Sequence, residues 1–179
     1  MKSTTVTLQP LRLSDREQFI LDNQEAFRYG ATEEFGLRDD HFEEEGEIIS
    51  RETIERSLDA VGAEAYRILD NGEAVGGVIL QIDPKTHRNA LEILFVTPKA
   101  HGKGIGFAAW QAIEAIHPET EVWETHTPHF ETRNIHFYIN KCGFSAVEFF
   151  NAHHPDPHAE VKKEEDGEDL MFRFEKRMK

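Results

Sequence analysis

The chain has 179 residues, enough for one domain of roughly 100–200 residues with its own core. It carries 20 Lys and Arg against 34 Asp and Glu, a formal net charge of −14, which argues against nucleic acid or an anionic membrane surface as partner, since both need a basic footprint. The single cysteine, Cys142, excludes an intramolecular disulfide and points to a reducing, cytoplasmic setting.

The longest runs of apolar residues plus Gly, 74–80 and 104–110, fall far short of the ~20 residues of a membrane span. Residues 1–30 lack the basic, apolar and cleavage segments of a signal peptide. No repeat or linker divides the chain, so residues 1–179 are expected to form one domain.

Residues 4–8 alternate and predict a strand. Ser14-Asp-Arg-Glu17 has the spacing of a capping box, followed by a helix over about 15–28 that buries Phe19, Ile20, Ala26 and Phe27. Residues 33–47 then hold eight acids and one Arg. A second helix is expected over about 48–61, with Ile54, Leu58 and Val61 on one face.

Strand-like runs at 65–70 and 73–82 flank Asn71-Gly72, the pair a tight hairpin turn prefers because both central residues need positive φ. Another turn at 83–86 leads to a strand over 90–96. A helix follows over 104–116, with Ile105, Ala109, Ala112, Ile113 and Ile116 inward.

After a strand at 121–127, a helix over 132–142 carries Ile135, Tyr138, Ile139 and Cys142 in one stripe, and Gly143 ends it. Strands at 146–150 and 169–174 close the chain across a polar loop; residues 160–169 hold six acids and two Lys. The alternation implies an α/β (α+β) domain with a mixed sheet. The two acidic segments read either as solvated loops or, if they converge, as a collar for a cationic ligand.

The informative stretch runs from Phe95 to Gly106, where a strand enters Gly102, Gly104 and Gly106 and a helix begins. Small residues at i, i+2 and i+4 let the backbone turn and approach a ligand. The N–H groups at the helix start favour an anion, and Lys103 adds a charge. Neither the P-loop nor the Rossmann glycine spacing fits these residues.

The pattern V-x-P-x-x-x-G-x-G-x-G, with His101-Gly-Lys-Gly104-Ile-Gly106 at its centre, resembles motif A of the GNAT superfamily of acyl-CoA-dependent N-acyltransferases. Asn134-Ile-His-Phe-Tyr138 running into Gly143-Phe144 resembles that family's motif B helix. The order of elements matches along nearly the whole chain. The resemblance implies a mostly antiparallel mixed sheet of six to seven strands with about four helices, acetyl-CoA as acyl donor, and a small-molecule or peptide amine as acceptor attacking in a ternary complex.

Two departures stand out. His101 occupies the family's Arg/Gln position. Tyr138 lies four residues after Asn134 and six before Phe144, where many members have about seven and five. Either the helix starts differently or it carries one extra residue near its end.

The resemblance also suggests roles. Backbone N–H groups from Gly102 through Lys103, Gly104, Ile105 and Gly106 to Phe107 would hold the pyrophosphate, and His101 belongs to the same motif. Peptides around Phe95 and Val96 would grip the pantetheine, with the Val96 N–H as oxyanion donor. Glu92 is the candidate base, against the alternative of an exposed strand glutamate; in some members the equivalent position is nearer Ala90. Tyr138 either protonates the departing thiolate or is simply core. Asn134 either contacts pantetheine or caps its helix.

In the resembled fold the acidic segments flank the acceptor cleft. Glu43, Glu44 and Glu45 would then recognise a cationic acceptor, and His126 and His129 would line the same side. Other readings remain: an acyl-CoA-binding sensor without catalysis, or a metal-binding or interaction protein using His153, His154 and His158. Cys142, Trp110 and Trp123 read as packing residues. A homodimer through the last strands stays open.

Overall fold

The computed structural model describes residues 5–29, 49–128, 131–151, 153–157 and 170–178. Seven strands form one sheet in the order β1-β2-β3-β4-β5-β7-β6. They are β1 (Val6–Pro10), β2 (Ala63–Asp70), β3 (Glu73–Gln81), β4 (Arg88–Val96), β5 (Val122–Pro128), β6 (Ser145–Phe150) and β7 (Met171–Arg177). The described helices are α1 (Arg16–Tyr29), α2 (Arg51–Asp59), α3 (Ile105–Ile116) and α4, which is α-helical over Thr132–His136 and continues as a π-helix over Phe137–Cys142.

The hairpin joining β2 to β3 turns at Asn71 (φ 51°) and Gly72 (φ 84°), the two positive dihedrals expected of its sequence. Strand β3 is buried from Val75 to Leu80 because helices cover both faces of the sheet. On one face, Phe19, Ile20 and Ala26 of α1 and Ile54 of α2 pack on Ile79, Ile93 and Phe95. On the other, Trp110 and Ile113 of α3 and Tyr138 and Cys142 of α4 pack on Val78, Leu80, Leu91, Trp123 and Phe174. Trp110 and Trp123 meet edge to face with ring centroids 5.3 Å apart.

An ion cluster built on the buried Arg67 fixes α1 to the sheet. The Arg67 side chain on β2 reaches Asp15 at 2.7 Å and Asp22 at 3.0 Å, and its guanidinium lies over the Phe19 ring.

Several local expectations are corrected. Ser14 sits inside a single 3-10 turn, Leu13–Asp15, so no capping box forms; Asp15 is engaged by Arg67 instead. The side-chain cap is at α2, where Ser50 Oγ accepts from the Thr53 N–H at 3.1 Å. Val61 is 96% exposed, because the backbone leaves the helix at Ala60 and turns through Gly62 (φ 85°) into β2. Ile116 is exposed at the last turn of α3. Ile139 is also exposed: the wider π turn rotates it out of the stripe that holds Tyr138 and Cys142.

That π segment accounts for the spacing of Tyr138. It runs from Phe137 through Tyr138 to Cys142 and accommodates one extra residue before Gly143 (φ 86°) closes the helix, with the Phe144 N–H bonding Tyr138 O at 2.9 Å.

Candidate active site

Strands β4 and β5 are the only neighbours in the described sheet that run parallel, and they pair only from Arg88↔Val122 to Leu91↔Thr125. The Thr125 hydroxyl donates to Leu91 O at 2.9 Å and marks the last tie. Beyond it, β4 continues against β3 and β5 continues against β7, so the two strands part.

At the point of parting, Ile93 pairs with Ile79 and Leu91 with Leu80, which leaves Glu92 as the extra residue of a β-bulge. At the end of β4, Val96 pairs with Gly76 while the Thr97 N–H donates to Val75 O at 2.8 Å. Alternation along the ladder therefore turns the Val96 backbone groups away from β3 and toward the gap. Its carbonyl accepts from His101 Nε2 at 2.8 Å, which places the ring proton on that nitrogen.

The glycine loop follows. Gly102 (φ 78°) and Gly104 (φ 72°) adopt left-handed backbone, and a Cβ at either would meet nothing within 4 Å, so conformation rather than crowding demands glycine. Gly104 caps α3 without a side-chain bond, and the first rung of that helix runs from the Ala108 N–H to Gly104 O. The N–H groups of Ile105, Gly106 and Phe107 thus lie ahead of the helical ladder, as an anion site requires. A Cβ at Gly106 would meet the Phe137 ring at 3.4 Å, an ordinary van der Waals contact, so α3 packs against α4 at this point.

These elements enclose a cleft of about 390 Å³. The sequence-derived residues Phe95, Val96, His101, Gly102, Gly104, Ile105, Gly106, Phe107, Asn134 and Tyr138 all line it. Lys103 is exposed and does not. Glu92 and His126 lie outside its lining, at the parting of the strands.

Glu92 is exposed, yet the protein atoms around its carboxyl raise its pKa; His126 opposes that shift and Glu124 adds to it. His126 stacks on Phe150 with centroids 6.1 Å apart and places Nε2 3.6 Å from Glu124. Tyr138 is buried against Phe144 and Phe174, and burial, reinforced by Glu131 and Cys142, pushes its hydroxyl well above the usual tyrosine range. Burial likewise pushes the Cys142 thiol up to about 12, as befits a packing residue.

Glu43, Glu44, Glu45, His129, His158 and residues 160–169 lie outside the described residues. Among the described residues no group of three or more His, Cys, Asp or Glu is placed to hold a metal ion. His154 instead sits with Nε2 2.6 Å from Glu148 and its ring stacked on Phe150.

Residues 24–144 match the family model described as "Acetyltransferase (GNAT) family". The chain belongs to the GNAT acetyltransferase family. It is 44% identical, over 97% of its length and 94% of the relative's, to YrkN of Bacillus subtilis (strain 168), a protein described as uncharacterized. Its fold is that of the ribosomal-protein-S18-alanine N-acetyltransferase of Escherichia coli, with a TM-score of 0.68 at 14% identity over 97% of this chain and 94% of the other. A spermidine N-acetyltransferase from Vibrio cholerae, solved with CoA and spermine, superposes with a TM-score of 0.65 at 14% identity over 96% and 95%.

For a GNAT chain, the fit of the cleft to a CoA thioester can be judged on its own residues. A backbone cradle of glycines, free of side chains, opens onto a gap lined by Leu94, Phe95 and Val96. That combination suits a pyrophosphate at one end and a narrow uncharged arm at the other.

Sequence reasoning missed nine lining residues: Ala26 and Phe27 on α1, Leu94 on β4, Ala100 in the turn after it, and Glu131, Arg133, His136, Phe137 and Lys141 on or beside α4. The α4 set shares a helix with Asn134 and Tyr138, so helical spacing from those two residues held a usable signal. Glu131 is the notable one. Asn134 Nδ2 donates to it at 2.5 Å, and burial raises its pKa while that bond opposes the shift.

Proposed function

We propose that residues 1–179 act as one N-acetyltransferase domain that transfers the acetyl group of acetyl-CoA to a primary amine, on a cationic small molecule or a peptide, by direct attack in a ternary complex. The observation that carries this reading is the gap between β4 and β5, with the Val96 N–H turned into it and the glycine cradle at its end.

In this reading the N–H groups from Gly102 to Phe107 hold the pyrophosphate and the Val96 N–H donates to the thioester oxygen as it gains charge. Glu92, directly or through water, takes the proton that the attacking amine must shed, and its raised pKa makes it a better base than an ordinary carboxylate. The C–N bond forms and the C–S bond breaks. Tyr138 returns a proton to sulfur, so the products are an acetamide and free CoA thiol. Asn134 orients the arm from the cleft wall. His126 lines the acceptor side in this reading, and the negative charge of Glu43, Glu44 and Glu45 would favour a positive acceptor.

A second reading is favoured by the packing of Tyr138 among Phe137, Phe144 and Phe174: a sensor that binds acyl-CoA without turnover. Calorimetric titration with acetyl-CoA, followed by thiol release from the same sample against an amine panel, separates the two. Binding that is lost in Gly104→Glu, with release stimulated by one amine class, supports the enzyme. Binding without stimulated release supports the sensor. No binding overturns both.

A further inference from the structure

Glu131 stands at the N-cap position of α4, where a side-chain oxygen ordinarily accepts from the free N–H groups of the first turn. It makes no such bond. Its backbone is held on both sides, the Glu131 N–H donating to Pro128 O at 3.1 Å and the Ile135 N–H to Glu131 O at 3.0 Å. Its half-buried side chain lines the cleft and runs along the helix, where Asn134 Nδ2 donates to Glu131 Oε2 at 2.5 Å.

Asn134 and Tyr138 follow Glu131 at i+3 and i+7, and all three line the cleft. The carboxyl is near enough to the Tyr138 hydroxyl to help raise its pKa. These side chains therefore share the wall that the acyl-transfer reading gives to the pantetheine arm.

An asparagine amide can turn about its last torsion and exchange its oxygen for its NH2 group. The neighbour of Asn134 decides which way it lies. An ionised carboxylate accepts and cannot donate, so it holds Nδ2 and leaves Oδ1 pointing away from it. Among the described residues Oδ1 is neither hydrogen-bonded nor buried. The pantetheine arm carries amides, each with an N–H and a carbonyl oxygen. An outward Oδ1 matches the N–H.

We propose that Glu131 is a positioning residue for the acyl donor: its carboxylate locks the Asn134 amide with Oδ1 turned into the cleft, to accept an amide N–H of the pantetheine arm. The inference rests on the acyl-transfer reading of the cleft. A locked amide has little rotational freedom left to lose when the arm arrives. An unlocked one presents its NH2 group as readily as its oxygen, and the arm's N–H then meets a donor.

The test is a set of calorimetric acetyl-CoA Kd values for wild type, Glu131→Leu and Glu131→Gln, each with Asn134 intact and with Asn134→Ala. Both Glu131 variants remove the same charge, so their difference is not one of attraction to an anionic ligand. Only Gln keeps an oxygen that can hold Nδ2 while Oδ1 is occupied. With Asn134 intact, Glu131→Leu should bind acetyl-CoA about threefold to tenfold more weakly than Glu131→Gln, the effect of freeing one side chain. With Asn134→Ala the two should bind alike, since the group through which position 131 acts is gone.

The assignment is overturned if the Leu and Gln variants bind alike beside Asn134, or if their difference survives in Asn134→Ala. It is overturned too if Asn134→Ala alone leaves the Kd unchanged, or if Glu131→Leu melts several degrees below Glu131→Gln, which would make the carboxyl a support of the fold. A wild type that does not bind acetyl-CoA overturns the reading of the cleft itself, and this inference with it.

Discussion

Between Arg88 and Leu91, strand β4 shares a parallel ladder with β5 and lies in the core that holds Trp110 and Trp123, whereas between Glu92 and Val96 the same strand pairs with β3 alone and borders an open gap. The two halves are adjacent in sequence and made of similar residues. In the first, each residue has a register partner on β5, and Ala90 and Leu91 have partners on β3 as well. In the second, a bulge at Glu92 and the turn at Thr97 leave backbone groups facing space that a substrate can occupy. Under the proposed function the chemistry falls in the second half, where Ile93 and Phe95 still pack beneath α1, so substitutions at its outward-facing positions should separate from those in the paired half.

The largest expected effect lies in the paired half. Trp123→Ala removes a fully buried ring in contact with Trp110 and should cost about 3–5 kcal/mol in denaturant unfolding. If it instead spared stability and abolished turnover alone, the division between the halves would be wrong.

Across the parting, Glu92→Gln should leave the unfolding midpoint in place and lower kcat by a hundredfold or more at neutral pH. In the wild type, activity should be present above the raised pKa of Glu92 and fall as pH drops through it, since the base must be unprotonated. The variant should lose that acid limb. A kcat within a few-fold of wild type would reduce Glu92 to an exposed strand residue.

Gly104→Ala sharpens the comparison at the far end of the gap. With φ at 72°, any side chain there costs about 1–2 kcal/mol, although nothing stands in its way. The expected readout is weaker acetyl-CoA binding by calorimetry with a modest loss of stability. Unchanged affinity would contradict the backbone-cradle role of the loop.

The smallest effect concerns Glu131. Its carboxyl titrates above its unfolded value, so the folded state holds the proton more tightly and the group's favourable contribution, complete below the unfolded pKa of 4.5, fades as pH rises through the raised value. Glu131→Gln should therefore match wild type in acid and become relatively more stable toward neutral pH, by chemical denaturation at several pH values. A gap that opens in the opposite direction would place the burial of Glu131 in doubt.

How much of this was legible in the sequence follows the range of the interactions. The Asn71-Gly72 turn and the glycines before α3 announce themselves because their backbone angles are local demands. The spacing of Tyr138 announced an irregular helix for the same reason, and the π turn supplies it. The bulge at Glu92 did not show, since Leu91 and Ile93 are both apolar and buried and only their partners on β3 reveal the extra residue. The cleft wall contributed by Ala26 and Phe27 depends on how α1 is tied down through Arg67 to Asp15 and Asp22. No local pattern encodes that docking.

The most direct test of the central claim is a crystal structure of the protein with CoA. The account expects the thiol between β4 and β5 beside the Val96 N–H, with the pyrophosphate oxygens within hydrogen-bond reach, roughly 3 Å, of the N–H groups between Gly102 and Phe107. CoA bound elsewhere, or a gap closed by renewed pairing of β4 with β5, would contradict it.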